Sequence, residues 1–486
     1  MRRPNRHHFA ALICAAMSQP LLERRWPWLL AAGLILVAFA STFVDLTPRR
    51  HWDDRPTAEA AAIPGLAERD DVNLLFILID TLRAERMSAY GYERETTPGI
   101  DHLARHGIRF ARHLAQSSWT KCSMASLWTG YYPSRTDITR FDQMIPQEAV
   151  LPAEILSEAG FKTAGIYRNG WVAPTFGFDQ GFEVYTRPAP VPMGPGVTRQ
   201  NPTLTDRGTD EGPVLAAFEF LRAHRNERWF LYLHLMDVHE YLYDQESALF
   251  GATHADIYDN SIRHTDDIIQ VLLAHLADKG LLEKTIVVIS SDHGEAFGER
   301  GYDGHAREVF RETTEVPFII ALPFQLESGL VIESRSRNVD VWPTLLDLLG
   351  LEMPGDLDGR SRLPEVLAAA GLADGVPPDD TAVAHLDQFW SRPEVDPKPT
   401  VAVAEGDFRY VRLELQDGKL AERLFDASRD PAELVNRADD EPEVLARLRE
   451  EAEAYLEAEP AWGVAPTREL DEMELNHLRA LGYALP

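Results

Sequence analysis

The chain has 486 residues and a formal charge of −29, because 77 Asp and Glu outnumber 48 Lys and Arg. This length and a hydrophobic content of 45% suit a large catalytic domain joined to a smaller one. So acidic a chain repels phosphate backbones, which argues against nucleic acid as a partner, and an anionic substrate would need a local cationic or metal centre.

The first structural signal is an uncharged apolar run at residues 26–44, WPWLLAAGLILVAFASTFV. About 20 such residues span a bilayer as a helix. Arg24 and Arg25 precede the run and Asp45 follows it, so the positive-inside rule leaves residues 1–25 in the cytoplasm and the rest of the chain outside.

Two alternatives remain for this segment. Ala38-Phe39-Ala40 has the small-x-small form of a signal peptidase site, and cleavage after Ala40 would release a secreted protein. We favour an uncleaved anchor, because the basic region and the apolar run are both longer than in an ordinary signal peptide. Residues 45–70, rich in Ala, Pro and charges, are predicted to be a flexible tether.

The rest of the chain alternates apolar strands with amphipathic helices. Continuous apolar runs predict strands buried on both faces, and a 3.6-residue spacing predicts helices. The predicted strands are 73–80, 229–235, 285–290 and 316–322, and the predicted helices are 97–106, 120–128, 255–279 and 341–350. This alternation indicates an α/β fold.

A change of composition at residues 370–400, rich in Pro, Asp and Ala, marks a candidate boundary or surface insertion. Two short strands, at 408–415 and 420–426, and an acidic helix at 441–457 follow it. We therefore predict a catalytic domain over 71–380 and a C-terminal subdomain over 381–486.

Two predicted strands end in residues that ligate metals. Asp80 ends the first strand, and Asp292-His293 follow the strand at 285–290. Functional groups of open α/β sheets gather at the carboxyl ends of strands, and carboxylate and imidazole bind hard or borderline divalent cations. Gly294 would allow close backbone approach. A metal site is favoured over simple helix capping by these aspartates.

Thr120 is a candidate nucleophile in the segment SSWTKCSMASLWTG. Its hydroxyl lies at a predicted helix start, where free backbone N–H groups attract anions. From the residues alone, a role as N-cap explains Thr120 at least as well.

At these positions the chain resembles the sulfatase family of the alkaline-phosphatase-like superfamily. The blocks that carry the resemblance are LIDTLRAERMSAYGY, WTKCSMASLWTGYYP, FGFDQGFEVY, LHLMDVHEY, VVISSDHGEAFGERGYDGHAREVF and VDVWPTLLDLLG, followed by LFDASRDPAELVN and LRALGY. The resemblance implies an alkaline-phosphatase-like three-layer α/β/α sandwich with a small C-terminal α/β lobe.

The resemblance also implies roles for individual residues. Asp80, Asp292 and His293 match metal ligands, and Thr120 falls at the nucleophile. In sulfatases that position is a Cys or Ser converted to formylglycine within C-x-P-S-R. Here the stretch is Thr-Lys-Cys-Ser-Met, with Cys122 two residues beyond the nucleophile, which argues against formylglycine.

Further positions follow from the same alignment. His239 matches a substrate-binding or leaving-group histidine, and His305 stands where many sulfatases have a Lys that holds the transferred group. Thr81 replaces a carboxylate of the calcium sulfatases, which weakens the case for Ca and leaves Zn, Mn and Mg open, so the identity of the metal among these four is not fixed. Arg83 and Lys121 are candidate substrate-binding cations, although either could be a solvated surface residue.

The resulting hypothesis is a metal-dependent hydrolase of sulfate or phosphate esters that acts outside the cytoplasm on an anionic substrate such as a glycan or lipid. One alternative is a transferase that moves a phosphoryl-linked group onto envelope lipid or glycan. Another is a catalytically inactive sulfatase-like binding protein. The sequence does not indicate the substrate or the oligomeric state.

Overall fold

The computed structural model describes residues 52–201, 208–375, 379–415, 418–481 and 485. Within these ranges, no helix combines the length and the apolar composition needed to cross a membrane. The predicted anchor at 26–44 and the segment before it lie outside the described residues. The described residues from Asp53 onward form one compact unit.

A mixed eight-stranded sheet forms the centre of this unit. Its strands are β1 (Asn73–Ile79), β2 (Ile108–Phe110), β3 (Lys162–Tyr167), β4 (Val184–Thr186), β5 (Trp229–Leu235), β6 (Thr285–Ser290), β7 (Phe318–Ala321) and β8 (Leu330–Ile332). Their order across the sheet is β8-β2-β7-β6-β1-β5-β3-β4. Five adjacent strands are mutually parallel, in the order β6-β1-β5-β3-β4, so their carboxyl ends lie at the same edge of the sheet.

Helices lie between these strands along the chain and continue after the last of them. They are α1 (Pro98–Arg105), α2 (Thr120–Thr129), α3 (Pro133–Thr136), α4 (Pro152–Glu158), α5 (Glu211–His224), α6 (His254–Asp278), α7 (Arg311–Thr314), α8 (Asn338–Leu348), α9 (Leu363–Ala369), α10 (Pro442–Leu456) and α11 (Glu472–Ala480). Short 3₁₀ turns occur at Ala60–Ala62, Pro64–Glu68, Ala84–Arg86, Ser88–Tyr90, Gly170–Val172, Pro174–Phe176 and Leu282–Lys284.

The core on one face of the sheet is aromatic. All seven residues of β1 are buried, and Phe76 points to the face covered by α2 and α8. There Trp342 of α8 packs on Phe76 with 5.3 Å between ring centroids, and Trp128 of α2 stacks on Trp342 at 5.0 Å. Helices α1 and α5 contact the sheet outside this cluster and α6 packs against both of them, which completes the predicted three-layer α/β/α arrangement.

A second, antiparallel sheet follows the α/β unit. Its strands are β9 (Ala382–Asp387), β10 (Pro399–Glu405), β11 (Phe408–Glu414) and β12 (Leu420–Asp426), and α10 packs on one face. Smaller strand pairs join Thr57–Ala58 to Gln325–Leu326, His113–Leu114 to Ser336–Arg337, Val197–Arg199 to Leu242–Asp244 and Ala296–Phe297 to Asp303–Gly304.

Part of the predicted tether belongs to the folded unit. Ile63 and Leu66 are 1% exposed and join the main hydrophobic core. Asp53 and Arg55 form a buried ion pair of 2.6 Å. The prediction of a flexible tether is therefore wrong from about residue 53 onward, because two isolated apolar side chains in an Ala- and Pro-rich stretch were enough to dock it.

Candidate active site

The predicted metal ligands meet at the shared carboxyl edge of the parallel strands. Asp80 directly follows β1, and Asp292 and His293 follow its neighbour β6. One ligand atom from each residue lies within 4.8 Å of the others, and all three side chains are fully buried. Gly294 is required here, since a Cβ at this position would lie 2.3 Å from the Glu312 carbonyl oxygen.

The donor set fits a divalent cation. Oδ1 of Asp80 and Oδ2 of Asp292 are buried without a hydrogen-bond partner among the described residues. His293 Nδ1 lies 3.0 Å from the Gly294 carbonyl, so Nδ1 carries the proton and the Nε2 lone pair faces the carboxylates. Two unpaired carboxylate oxygens beside an imidazole lone pair form a cluster of acceptors, which a cation would satisfy.

Thr120 lies beside this cluster at the start of α2. Its Oγ1 is 3.1 Å from His293 Nε2. Trp119, not Thr120, occupies the N-cap position, and no side chain caps the helix. The hydroxyl thus faces the metal cluster, while the first backbone N–H groups of α2 lack helical acceptors.

Two site residues were not predicted from the sequence. Asn169, just beyond β3, donates from Nδ2 to Asp80 Oδ2 at 2.6 Å and to Thr120 Oγ1 at 3.3 Å. His234 in β5 donates from Nε2 to Asp80 Oδ2 at 3.0 Å and accepts from the Tyr232 hydroxyl at 2.7 Å. Their only sequence signal is their place near the carboxyl ends of β3 and β5, which come after β1 in the order across the sheet.

The two predicted histidines also converge on the cluster. The ring centroid of His305 lies 4.5 Å from that of His293 and 5.0 Å from that of His239. The hairpin Ala296–Phe297/Asp303–Gly304 brings Glu295 opposite His305, and Nδ1 of His305 donates to Glu295 Oε2 at 2.7 Å. Glu295 thereby fixes the tautomer and orientation of His305.

Burial and neighbouring charges perturb these groups strongly. Burial lowers the pKa of His239 to about 4. Burial opposes ionisation of Asp80, yet its hydrogen bond from His234 and the nearby imidazoles keep its pKa below the usual value. Burial, together with the negative charge of Asp80, raises the pKa of Asp292. Strongly perturbed groups gathered at one strand edge are typical of an active site.

A cavity of about 710 Å³ opens beside the histidines, and its wall includes His239, Glu295 and His305. His239 is only 3% exposed, and neither of its ring nitrogens has a hydrogen-bond partner among the described residues. A buried imidazole with two unsatisfied nitrogens on a cavity wall is suited to contact a ligand.

The family assignment follows from comparison with known proteins. The Sulfatase family model matches residues 72–351, more than half of the chain. The chain belongs to the sulfatase family. A second model, for the C-terminal region of N-sulphoglucosamine sulphohydrolase, matches residues 298–458.

Individual relatives of this sulfatase-family chain are distant. An ulvan-active sulfatase of Formosa agariphila is 26% identical over 329 residues, which cover 59% of this chain and 63% of that protein. The fold is similar to that of the phosphonate monoester hydrolase of Agrobacterium radiobacter (TM-score 0.61, 18% identity, 79% and 95% coverage). It is also similar to a protein solved with its substrate D-glucosamine-2-N,6-O-disulfate (TM-score 0.60, 19% identity, 79% and 98% coverage).

In this sulfatase-family site, the structure does not bring the two predicted substrate-binding cations to the cavity. Arg83 is buried and donates to the Glu295 carbonyl at 2.8 Å and to Glu299 at 2.6 Å. Lys121 Nζ donates to two backbone carbonyls at 2.6 Å each, and lies 4.1 Å from the centroid of the Phe176 ring. Both side chains donate their hydrogen bonds within the protein, and burial lowers the pKa of Lys121 well below its usual value.

Strained backbone surrounds the same site. Among described non-glycine residues, five have positive φ, and three of these adjoin site residues: Thr81 (64°) follows Asp80, Ala306 (55°) follows His305, and Tyr241 (51°) lies two residues after His239. The left-handed conformation costs L-residues about 1–2 kcal/mol. The surrounding structure must therefore stabilise this strained backbone, and it fixes the positions of the neighbouring Asp80, His239 and His305, as occurs at pre-organised active sites.

Proposed function

We propose that the chain is a metal-dependent hydrolase of sulfate or phosphate esters, with Thr120 as its nucleophile. The observation that carries this proposal is the Thr120 hydroxyl, 3.1 Å from His293 Nε2 and beside two unpaired carboxylate oxygens. The nucleophile and the acceptors for a cation thus share one buried cluster at a helix N-terminus.

A divalent cation would be held by Asp80, Asp292 and His293, and would supply Lewis-acid chemistry that acidifies a hydroxyl and neutralises the charge of the ester. His234 and Asn169 hold the second oxygen of Asp80 through hydrogen bonds of 3.0 and 2.6 Å. They would leave Oδ1 directed at the cation, as the outer partners of metal ligands do elsewhere.

The remaining steps use groups of the chain itself. Oγ1 of Thr120, whose proton passes to solvent, attacks phosphorus or sulfur, and the new bond forms as the bond to the leaving alcohol breaks. Protonated His305, oriented by Glu295, donates its Nε2 proton to the leaving oxygen. His239, which burial keeps neutral near pH 7, then accepts a proton from a water whose oxygen bonds to phosphorus or sulfur as the bond to Thr120 Oγ1 breaks, and Oγ1 regains a proton from solvent.

Substrate type and location are further parts of the proposal. A threonine nucleophile cannot become formylglycine, so the chain would use the hydroxyl directly on a tetrahedral anion. Relatives named as sulfatases and a fold neighbour named as a phosphonate monoester hydrolase both act on such anions. We also propose that the reaction takes place outside the cytoplasm, because the apolar run at 26–44 has its basic residues on the N-terminal side.

The test combines metal content with turnover. Purified full-length protein would be assayed by elemental analysis and with nitrophenyl sulfate, nitrophenyl phosphate and bis-nitrophenyl phosphate. We expect stoichiometric metal and a loss of at least about a hundredfold in kcat for Thr120→Ala. Thr129→Ala, at the other end of α2, controls for the loss of a threonine in this helix. Undiminished turnover by Thr120→Ala would refute the nucleophile assignment, and no turnover of any ester by the native protein would favour an inactive binding protein.

A further inference from the structure

The cavity next to the histidines carries recognition groups that the reaction does not use. Tyr302, Glu308 and Trp390 line it together with His239 and His305. The hydroxyl of Tyr302 and Oε2 of Glu308 are shielded from solvent, and neither has a hydrogen-bond partner among the described residues. Shielded polar atoms on a cavity wall without partners are groups that a ligand can satisfy.

The unpaired atoms identify the kind of ligand group that would satisfy them. A carboxylate oxygen is an acceptor only, so Glu308 needs a hydroxyl or an ammonium donor. A phenol hydroxyl can donate or accept, so Tyr302 can bind a second hydroxyl. Trp390 stacks with Trp119 at 4.7 Å between ring centroids, and so adds a rigid apolar surface to the same wall. An aromatic surface with hydroxyl-binding groups beside it suits a sugar ring.

The charges of the wall limit what else that ring can carry. Glu308 is partly buried, and burial raises the pKa of its carboxyl to about 7 even though Arg300 and Arg423 oppose this effect. Arg307 also lines the cavity, but it is exposed. Solvent and salt screen an exposed charge more than a buried one, so the negative charge of Glu308 acts more strongly inside the cavity.

We propose that this wall is the leaving-group subsite of the enzyme, and that it selects a singly charged sugar ester with hydroxyl or ammonium groups on the ring over a polyanionic sugar. This inference rests on the proposed function, since it concerns the leaving group of the same reaction. The wall also contains His239, a residue that is 3% exposed and to which the proposed reaction already gives a role, so the subsite adjoins the reacting atoms.

The test compares two sugars that differ by one sulfate group. D-glucosamine 6-sulfate offers an ammonium group where D-glucosamine-2-N,6-O-disulfate offers a second anion. If nitrophenyl phosphate proves to be the better small substrate, D-glucosamine 6-phosphate and its N-sulfated form replace them, and these two again differ by one anionic group. Assays at pH 8 keep Glu308 ionised. We expect the monoester to have a kcat/KM at least about tenfold above that of its doubly charged partner.

Glu308→Gln removes the charge and keeps the shape. We expect it to lower the ratio of the two kcat/KM values about tenfold, and a general loss of activity cancels in that ratio. Glu327→Gln, at an exposed glutamate outside the cavity, should leave the ratio unchanged. Melting temperatures of both variants would exclude a folding defect.

The possible failures can be separated. Turnover of nitrophenyl esters with equal or better use of the doubly charged sugar would overturn this inference and leave the proposed function standing. If the native protein prefers the doubly charged sugar and Arg307→Gln loses this preference, the wall is a binding site for polyanions. A ratio unaffected by Glu308→Gln would also overturn the inference. Failure to hydrolyse any ester would overturn the proposed function and this inference with it.

Discussion

Replacing Asp292 with Asn should stabilise the metal-free protein and abolish its stabilisation by metal. Asp80 and Asp292 are both buried, and their unpaired oxygens belong to a cluster that spans no more than 4.8 Å. Two negative charges at that distance repel by about 3 kcal/mol at an effective dielectric constant of about 20. Asn removes one charge, can still accept from His293 N through Oδ1, and presents an amide donor where Oδ2 now lacks a partner.

Bound metal should have the opposite effect on the comparison, because it stabilises the native protein more than the variant. A cation at a thousand times its Kd stabilises the folded native protein by about 4.1 kcal/mol, which exceeds the repulsion that Asn relieves, and a variant with a weakened site loses most of this gain. The measurement is the melting temperature of full-length protein in EDTA and in a series of Ca²⁺, Mg²⁺, Mn²⁺ and Zn²⁺ concentrations. In EDTA, we expect Asp292→Asn to melt above the native protein. With metal, we expect the order to reverse.

Asp267→Asn provides the control, because this residue is outside the cluster and its loss of charge should not change the response to metal. The reasoning would be refuted if Asp292→Asn melted below the native protein in EDTA and still gained stability from metal. That result would mean that the buried carboxylates do not repel one another and that the cation binds elsewhere.

Three further predictions concern the site and the fold. Asn169→Ala should lower kcat about a hundredfold, because the amide donates to both Asp80 and Thr120, and steady-state kinetics on the best nitrophenyl ester would show it. Asp266→Ala should reduce the free energy of unfolding by about 1–2 kcal/mol in denaturant titrations, because its carboxylate accepts from two backbone N–H groups at the start of α1, whereas Asp267→Ala should have little effect. Burial lowers the pKa of His113 from 6.5 to about 4, so the unfolded chain binds a proton in this range that the folded protein does not. The free energy of unfolding should therefore fall by about 3 kcal/mol as pH decreases from 6.5 to 4, and His113→Gln should remove this part of the acid sensitivity.

The long elements could be predicted from the sequence because their hydrophobic patterns are strong. The strands at 229–235 and 285–290 were predicted with the observed bounds, and the helix predicted at 255–279 is observed at His254–Asp278. The short strands β2, β4 and β8 have three residues each and no pattern long enough to distinguish them from loops.

The metal ligands of the candidate site could be predicted because the strands before them have strong apolar patterns. Asp80 and Asp292 each follow a strongly apolar strand, so their common edge could be inferred from the sequence. The positions of Asn169 and His234 depend on the order β1-β5-β3 across the sheet, and that order is a tertiary property. Lys121 adjoins a motif residue, but the side chain points to backbone carbonyls, and its direction is set by packing that no local pattern encodes.

The left-handed residues around the site have a consequence for laboratory evolution. Glycine adopts positive φ without strain, whereas most other residues at Ala306 retain it. A saturation library at Ala306, which is only partly buried, should therefore be enriched in glycine among stable clones and poor in new catalysts, since a freer backbone would also free the adjoining His305. At Tyr241, glycine would lose more packing than the strain it relieves, because this side chain is buried. Productive diversity is expected on the cavity wall at Glu308 and Trp390, where a side chain can change without altering the path of the chain.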